Sequence, residues 1–210
     1  MSARPAAGGG RWVDVPPERL TRWVENFGSR HGGHTIQGLM LTGTDGATAE
    51  VLAPPGVPEV DDLDGLRDRA MTPRRIGLLL VRKGAVAAGV AEGATLVASK
   101  VDTHYVQGRT AAGGWSQQRF ARRRDNQAKA AAADAGAIAG RILLPHVATL
   151  TTLVTGGDRT AVDTVLAAPH LAALLPLRHE RFLDVPEPRR AVLEDAVALA
   201  RAVRILVRDP

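Results

Sequence analysis

The sequence predicts an α/β fold: a mixed sheet with flanking helices, preceded by a small N-terminal helix and hairpin. Three observations carry this. Between residues 76 and 106, three apolar runs are parted by Lys83-Gly84 and Glu92-Gly93, the pattern of an antiparallel meander. Residues 116–143 are alanine-rich and free of proline, so they read as one long helix. Beyond them, apolar strand runs alternate with helical periodicity, which places helices against a mixed sheet.

Residues 1–10 are rich in Pro, Gly and Ala and are expected to be disordered. Pro16-Pro17 then lead into a short amphipathic helix. Its Leu20, Trp23, Val24 and Phe27 fall on one face at i, i+3, i+4 and i+7, a packing stripe that Gly28 ends. Residues 35–52 alternate loosely around Asp45-Gly46, a dipeptide that favours a hairpin turn. The proline-rich 54–58 and the acidic 59–64 read as a linker, with a boundary between 53 and 73. The expected organisation is a helix-and-hairpin region at 11–58 and a main domain at 73–210.

In the main domain, strands are expected at 76–81, 85–90 and 94–106, followed by the small-residue loop 108–114 and the long helix. A strand at 151–155 runs into Gly156-Gly157-Asp158-Arg159. That turn lacks the Walker lysine and the Rossmann glycine spacing, so it reads as a structural turn with Asp158 at the start of the next helix, 160–168. A short helix near Leu171, a last strand at 181–185 and a C-terminal helix at 189–207 complete the chain.

Composition narrows the function. Lys and Arg number 27 against 22 Asp and Glu, giving a net charge of +5, and only three of the cations are lysines. Arginine presents planar donor forks that match phosphate, so a polyanionic partner is indicated. With no cysteine, disulfides, thiol catalysis and cysteine-held clusters are excluded. The six histidines show no metal-ligand spacing, since His31 and His34 are only three apart in a glycine-rich loop, and neither metal nor cofactor is expected. No apolar stretch approaches the ~20 residues that span a bilayer, and 1–10 lacks a signal-peptide core, so a cytoplasmic protein without membrane contact is expected.

The chemistry points to residues 108–124. Gly113-Gly114 sit at the tip of a loop with few side chains to fix it, and such a loop can enter a narrow cavity. Gln117 and Gln118 follow, and then a basic run. From 119 to 129 there are five cations (Arg119, Arg122, Arg123, Arg124 and Lys129) and one carboxylate, Asp125. Arg119, Arg122 and Arg123 share a helical face at i, i+3 and i+4, suited to RNA phosphates. Trp115 is either a core anchor or, at the loop tip, a residue that stacks on a base or lines an RNA cavity.

The segment resembles the catalytic domain of eukaryotic and archaeal translation termination factors, in which a Gly-Gly-Gln loop precedes a long basic helix. It is more similar still to the Vms-like release factors of ribosome quality control, which carry Gly-x-x-Gln in that loop. Gly114-Trp115-Ser116-Gln117 fits the latter motif, and Arg119-Phe120-Ala121-Arg122 fits the start of the family helix. The likeness covers about 75–144. It departs in one respect: an ungapped alignment of Arg-Phe-Ala-Arg to the termination factors puts their glutamine on Trp115.

The resemblance implies a release-factor-like catalytic domain that hydrolyses peptidyl-tRNA on stalled ribosomes or obstructed large subunits. Gln117 or Gln118 would orient the water, and the partners would be large-subunit rRNA and peptidyl-tRNA. Glutamine has no useful pKa, so positioning and charge stabilisation would supply the rate. The N-terminal portion is too short for a stop-codon-reading domain, and release is expected to be independent of one. The chain is expected to be a monomer in solution. Two other readings stay open: nuclease action at the tRNA acceptor end, for which no two-metal carboxylate cluster is visible, and a catalytically silent ribosome- or RNA-binding module.

Overall fold

The computed structural model describes residues 3–82, 84–103 and 116–210, with Ala3 and residues 116–128 as backbone only. The chain forms two compact units, one of residues 1–74 and 198–210, the other of residues 75–197.

The first unit is built on an entirely antiparallel sheet. Its strands are β1 (Ala3–Pro5), β2 (Arg11–Val15), β3 (His34–Gln37), β4 (Met40–Gly43), β5 (Thr48–Leu52) and, from the far end of the chain, β11 (Val203–Arg208). The order is β1-β2-β11-β5-β4-β3. One face of this sheet is apolar because Val13 and Val15, Ala49 and Val51, and Val203, Ile205 and Val207 alternate inward. Helices α1 (Leu20–Arg30) and α2 (Leu63–Met71) contribute Leu20, Phe27, Leu66 and Ala70 to that core. The expected hairpin is present: Gly46 has φ +94° and the Asp45 carboxylate accepts from Ala47 N at 3.0 Å.

Three expectations for this unit are corrected. Part of 1–10 is not disordered, because Ala3–Pro5 pairs with β2 in the register Ala3↔Val13. The 54–64 segment is more than a linker. Asp62 caps α2, accepting from Gly65 N at 2.7 Å, and Arg74 donates to the carbonyls of Pro55 and Ala70 at 3.1 and 3.2 Å. Burial pushes the Arg74 guanidinium down to about 10. The C-terminal segment is also not a single helix. The expected helix 189–207 is α5 (Arg190–Arg201) followed by β11, which lies between β2 and β5. A β-branched run with partners on both edges gains two ladders of backbone hydrogen bonds that a helix there would forgo.

The second unit is a mixed α/β layer structure, as expected. Its sheet comprises β6 (Arg75–Arg82), β7 (Ala85–Glu92), β8 (Thr95–Thr103), β9 (Thr152–Gly157) and β10 (Arg178–Leu183), in the order β10-β9-β6-β7-β8. β6, β7 and β8 form the antiparallel meander, while β9 runs parallel to β6 and β10 parallel to β9. The long helix α3 (Ser116–Leu143), α4 (Arg159–Leu166) and two 3-10 segments (Leu144–Thr149 and Pro169–Leu177) follow. Together they close the core over Leu79, Val81, Val86, Ala88 and Val90. On the opposite face, Leu193 of α5 packs against Gly89 of β7. Residues 104–106, the end of the expected third strand, lie outside the described residues.

Candidate functional site

α3 is two kinds of helix in sequence. Its C-terminal part carries apolar side chains at i, i+3 and i+4 spacing, and Ala132, Ala135, Ile138, Ala139, Ile142 and Leu143 pack into the core. The residues are small, so the helix seats closely against its neighbours. Gly136 and Gly140 form a notch for the His170 imidazole, whose Nε2 lies 3.2 Å from the Gly136 carbonyl. The N-terminal part, 116–131, has Phe120 as its one large apolar residue. Its helicity follows from alanine, glutamine and arginine, all good helix formers.

The predicted site residues are placed as follows. Gly113, Gly114 and Trp115 lie outside the described residues, as does the rest of the 108–114 loop. Gln117 and Gln118 occupy the first turn of α3, which begins at Ser116. Arg119, Arg122, Arg123 and Arg124 are on the same continuous helix, so the backbone places positions 119, 122 and 123 along one face. Lys129, two turns further on, is exposed. The two glutamines and the four arginines thus stand on one helix, toward its N-terminal end.

Two electrostatic features attend that end. The first turn of a helix leaves backbone N–H groups without intrahelical partners, and the aligned peptide dipoles add partial positive charge there. The cations concentrate in the same unit. The second unit has sixteen Lys and Arg against eleven Asp and Glu, whereas the first has eleven of each, so the whole +5 belongs to the second. One cation was not singled out by motif. Lys100 on β8 pairs with Ala88 in register, which puts it on the sheet face that α3 covers, and it is exposed. The signal that could have found it is the period-two alternation of β8.

The Gly156-Gly157-Asp158-Arg159 segment is a structural turn. Asp158 caps α4, accepting from Ala161 N at 2.9 Å. Gly157 has φ +98°, and a Cβ there would run into the Val81 carbonyl oxygen. His179 on β10 accepts from Arg181 N through Nδ1 at 2.9 Å, and burial pushes its pKa down. Among the described residues, no three His, Asp or Glu side chains converge in a way that could hold a metal ion. No single helix among them is long and apolar enough to cross a membrane.

Residues 74–206 match the family model described as Actinobacteria/chloroflexi VLRF1 release factor. The match begins one residue before the second unit and runs into β11. Among solved structures, the chain is similar to an archaeal translation termination factor, aRF1, at 17% identity and a TM-score of 0.45. That similarity covers 90% of this chain and 63% of the other. It is also similar to a structure titled only as an archaeal protein, at 14% identity and a TM-score of 0.40, covering 88% and 62%. The chain thus spans less than two thirds of the length of either. No curated protein matches it.

Proposed function

Because the chain belongs to the Actinobacteria/chloroflexi VLRF1 release factor family, we propose that it is a cytoplasmic, stop-codon-independent peptidyl-tRNA hydrolase of stalled ribosomes or obstructed large subunits. The observation that carries this reading is the run Gly113-Gly114-Trp115-Ser116-Gln117 at the head of a 28-residue helix, with a cationic N-terminal part and a C-terminal part seated in the core.

In this proposal the glycines let the loop reach the ester joining peptide to tRNA, and Trp115 stacks on a base. Gln117 orients a water toward the ester carbonyl. The water oxygen forms the new C–O bond, the bond to the ribose oxygen breaks, and the proton lost by the water ends on the ribose hydroxyl. Negative charge that develops on the carbonyl oxygen lies near the positive end of α3, whose free N–H groups stabilise it. Arg119, Arg122, Arg123, Arg124 and Lys129, together with Lys100, hold rRNA or tRNA phosphates. Little is asked of side-chain acid–base chemistry, since positioning within RNA supplies the rate.

The test is a pair of single substitutions. Gln117→Ala should slow peptide release at least tenfold, about 1.4 kcal/mol, with ribosome affinity unchanged. Full release in that variant, combined with loss in Gln118→Ala, would move the role by one residue. Retained release in the double variant would end the glutamine mechanism.

A further inference from the structure

The first unit has balanced charge, but one of its surfaces does not. Arg19, on the 3-10 turn leading into α1, and Arg22, Asn26 and Arg30 on α1 follow one another at i+3, i+4 and i+4. All four are exposed and lie within about 80° of arc on the helix. Among the described residues, none of the three arginines is in an ion pair. The two acids of the segment, Glu18 and Glu25, fall outside that arc, and Glu18 is already paired with Arg201 at 2.7 Å.

At the edge of this stripe a groove of about 170 Å³ opens between α1 and the sheet. Trp23, Phe27 and Val207 floor it, and Arg30, Arg11 and His31 stand around it. Trp23 is half-buried and stacks on Phe27, with ring centroids 5.7 Å apart and planes 19° from parallel. Two of the rim groups are engaged locally, Arg11 by Asp209 at 2.6 Å and His31 by Asp45 at 2.8 Å. Arg30 is left as the open cation at the mouth. An apolar cavity of roughly 150 Å³ accommodates a benzene ring, so the groove has room for one flat ring. Its floor is aromatic, and unpaired guanidinium forks run away from it along the helix.

We propose that this face of α1 binds single-stranded RNA, with Arg19, Arg22 and Arg30 on successive phosphates and one unstacked base in the groove beside Trp23. Flat ring and row of anions together are the chemistry of an unpaired nucleotide strand. An acidic peptide would satisfy the arginines but has no regular supply of flat rings. The site is distinct from the 108–124 segment and does not depend on the role proposed for it.

The experiment uses the full chain with Trp12→Phe and Trp115→Phe, which leaves Trp23 as the one emitter of the three tryptophans. A ten-nucleotide single-stranded RNA of mixed sequence should quench Trp23 saturably, and a ten-residue polyglutamate should not. Arg19, Arg22 and Arg30 replaced together by Gln should weaken that quenching at least fivefold. The slope of log affinity against log salt should fall by about two, since each single-strand contact contributes roughly 0.7. In the Arg122, Arg123, Arg124→Gln chain the quenching should persist, which separates this site from the α3 segment. Trp23→Leu, which keeps the groove apolar, should weaken binding of the labelled RNA about tenfold when α3 carries those three substitutions. Unchanged Trp23 emission while labelled RNA is bound would overturn the proposal. So would quenching by polyglutamate in place of RNA, or an unchanged salt slope in a folded Arg19/Arg22/Arg30 variant; single Arg30→Gln is the fallback if the triple variant does not fold.

Discussion

The two units both pair arginines with carboxylates, and they differ in where cations stand without them. In the first, five of the eleven arginines pair with carboxylates in the described residues. Arg4 and Arg204 converge on the buried Asp14, Arg11 takes Asp209, Arg67 takes Asp64 and Asp68, and Arg201 takes Glu18. In the second, five cations against one carboxylate stand on a single stretch, 119–129. Both units are arginine-rich, so arginine count does not separate them; the excess over carboxylates does. A high pI therefore has to be located before it says anything about a partner.

The largest expected effect tests whether the second unit's sheet is the rigid base that α3 requires. Gly157→Ala puts a side chain at φ +98° and against the Val81 carbonyl. It should cost about 3 kcal/mol, read as a lowered midpoint in thermal or denaturant unfolding. An unchanged midpoint would mean that the β9–α4 turn relaxes freely.

The next effect breaks the comparison directly. Arg122, Arg123 and Arg124 replaced together by Gln should flatten the salt dependence of ribosome binding by roughly one to two contacts. Release should fall at limiting protein and partly recover at high protein. Replacing Arg11, Arg67 and Arg204, all ion-paired in the first unit, should leave the slope where it was. Equal slopes for the two triple variants would remove the distinction between spent and available arginine.

How far these features could be read from sequence follows from the range of the forces involved. The Asp45-Gly46 hairpin and the Asp158 cap were legible because their determinants lie within a few residues, in Asp45 accepting from Ala47 and Asp158 from Ala161. The long helix was legible for the same reason, since alanine, glutamine and arginine favour helix without help. β11 was not. Val203, Ile205 and Val207 alternate over only six residues at the end of a helical pattern, and what decides them is pairing with strands about 150 and 190 residues earlier in the chain. β1 was missed likewise, as three residues that make sense only beside β2. α2 was hidden by an acidic run that reads as a linker until Asp62 is recognised as a cap. Around the candidate site, the helix was legible, but the sheet face on which Lys100 lies was not, because it depends on the β7–β8 register.

The smallest effect belongs to pH and sharpens the comparison at a neutral group. Burial lowers the pKa of His179 in the second unit, so the unfolded chain binds a proton that the folded one resists. The stability this group contributes is present above its ordinary value near 6.5 and is lost as pH falls through the lower folded value. Unfolding midpoints of the native chain should therefore drop more between pH 7 and pH 5 than those of His179→Gln. Parallel pH profiles would assign His179 no part in that loss.

The central claim concerns what is released and when. The decisive measurement is single-turnover reaction of ribosomes stalled on a sense codon, carrying peptidyl-tRNA labelled separately on the peptide and on the tRNA. Free peptide and intact tRNA are expected without a stop codon in the A site, with the product lost in the Gln117→Ala, Gln118→Ala double variant while ribosome binding persists. Peptide recovered on a tRNA fragment, release only at a stop codon, or binding without any cleavage by the native chain would contradict it.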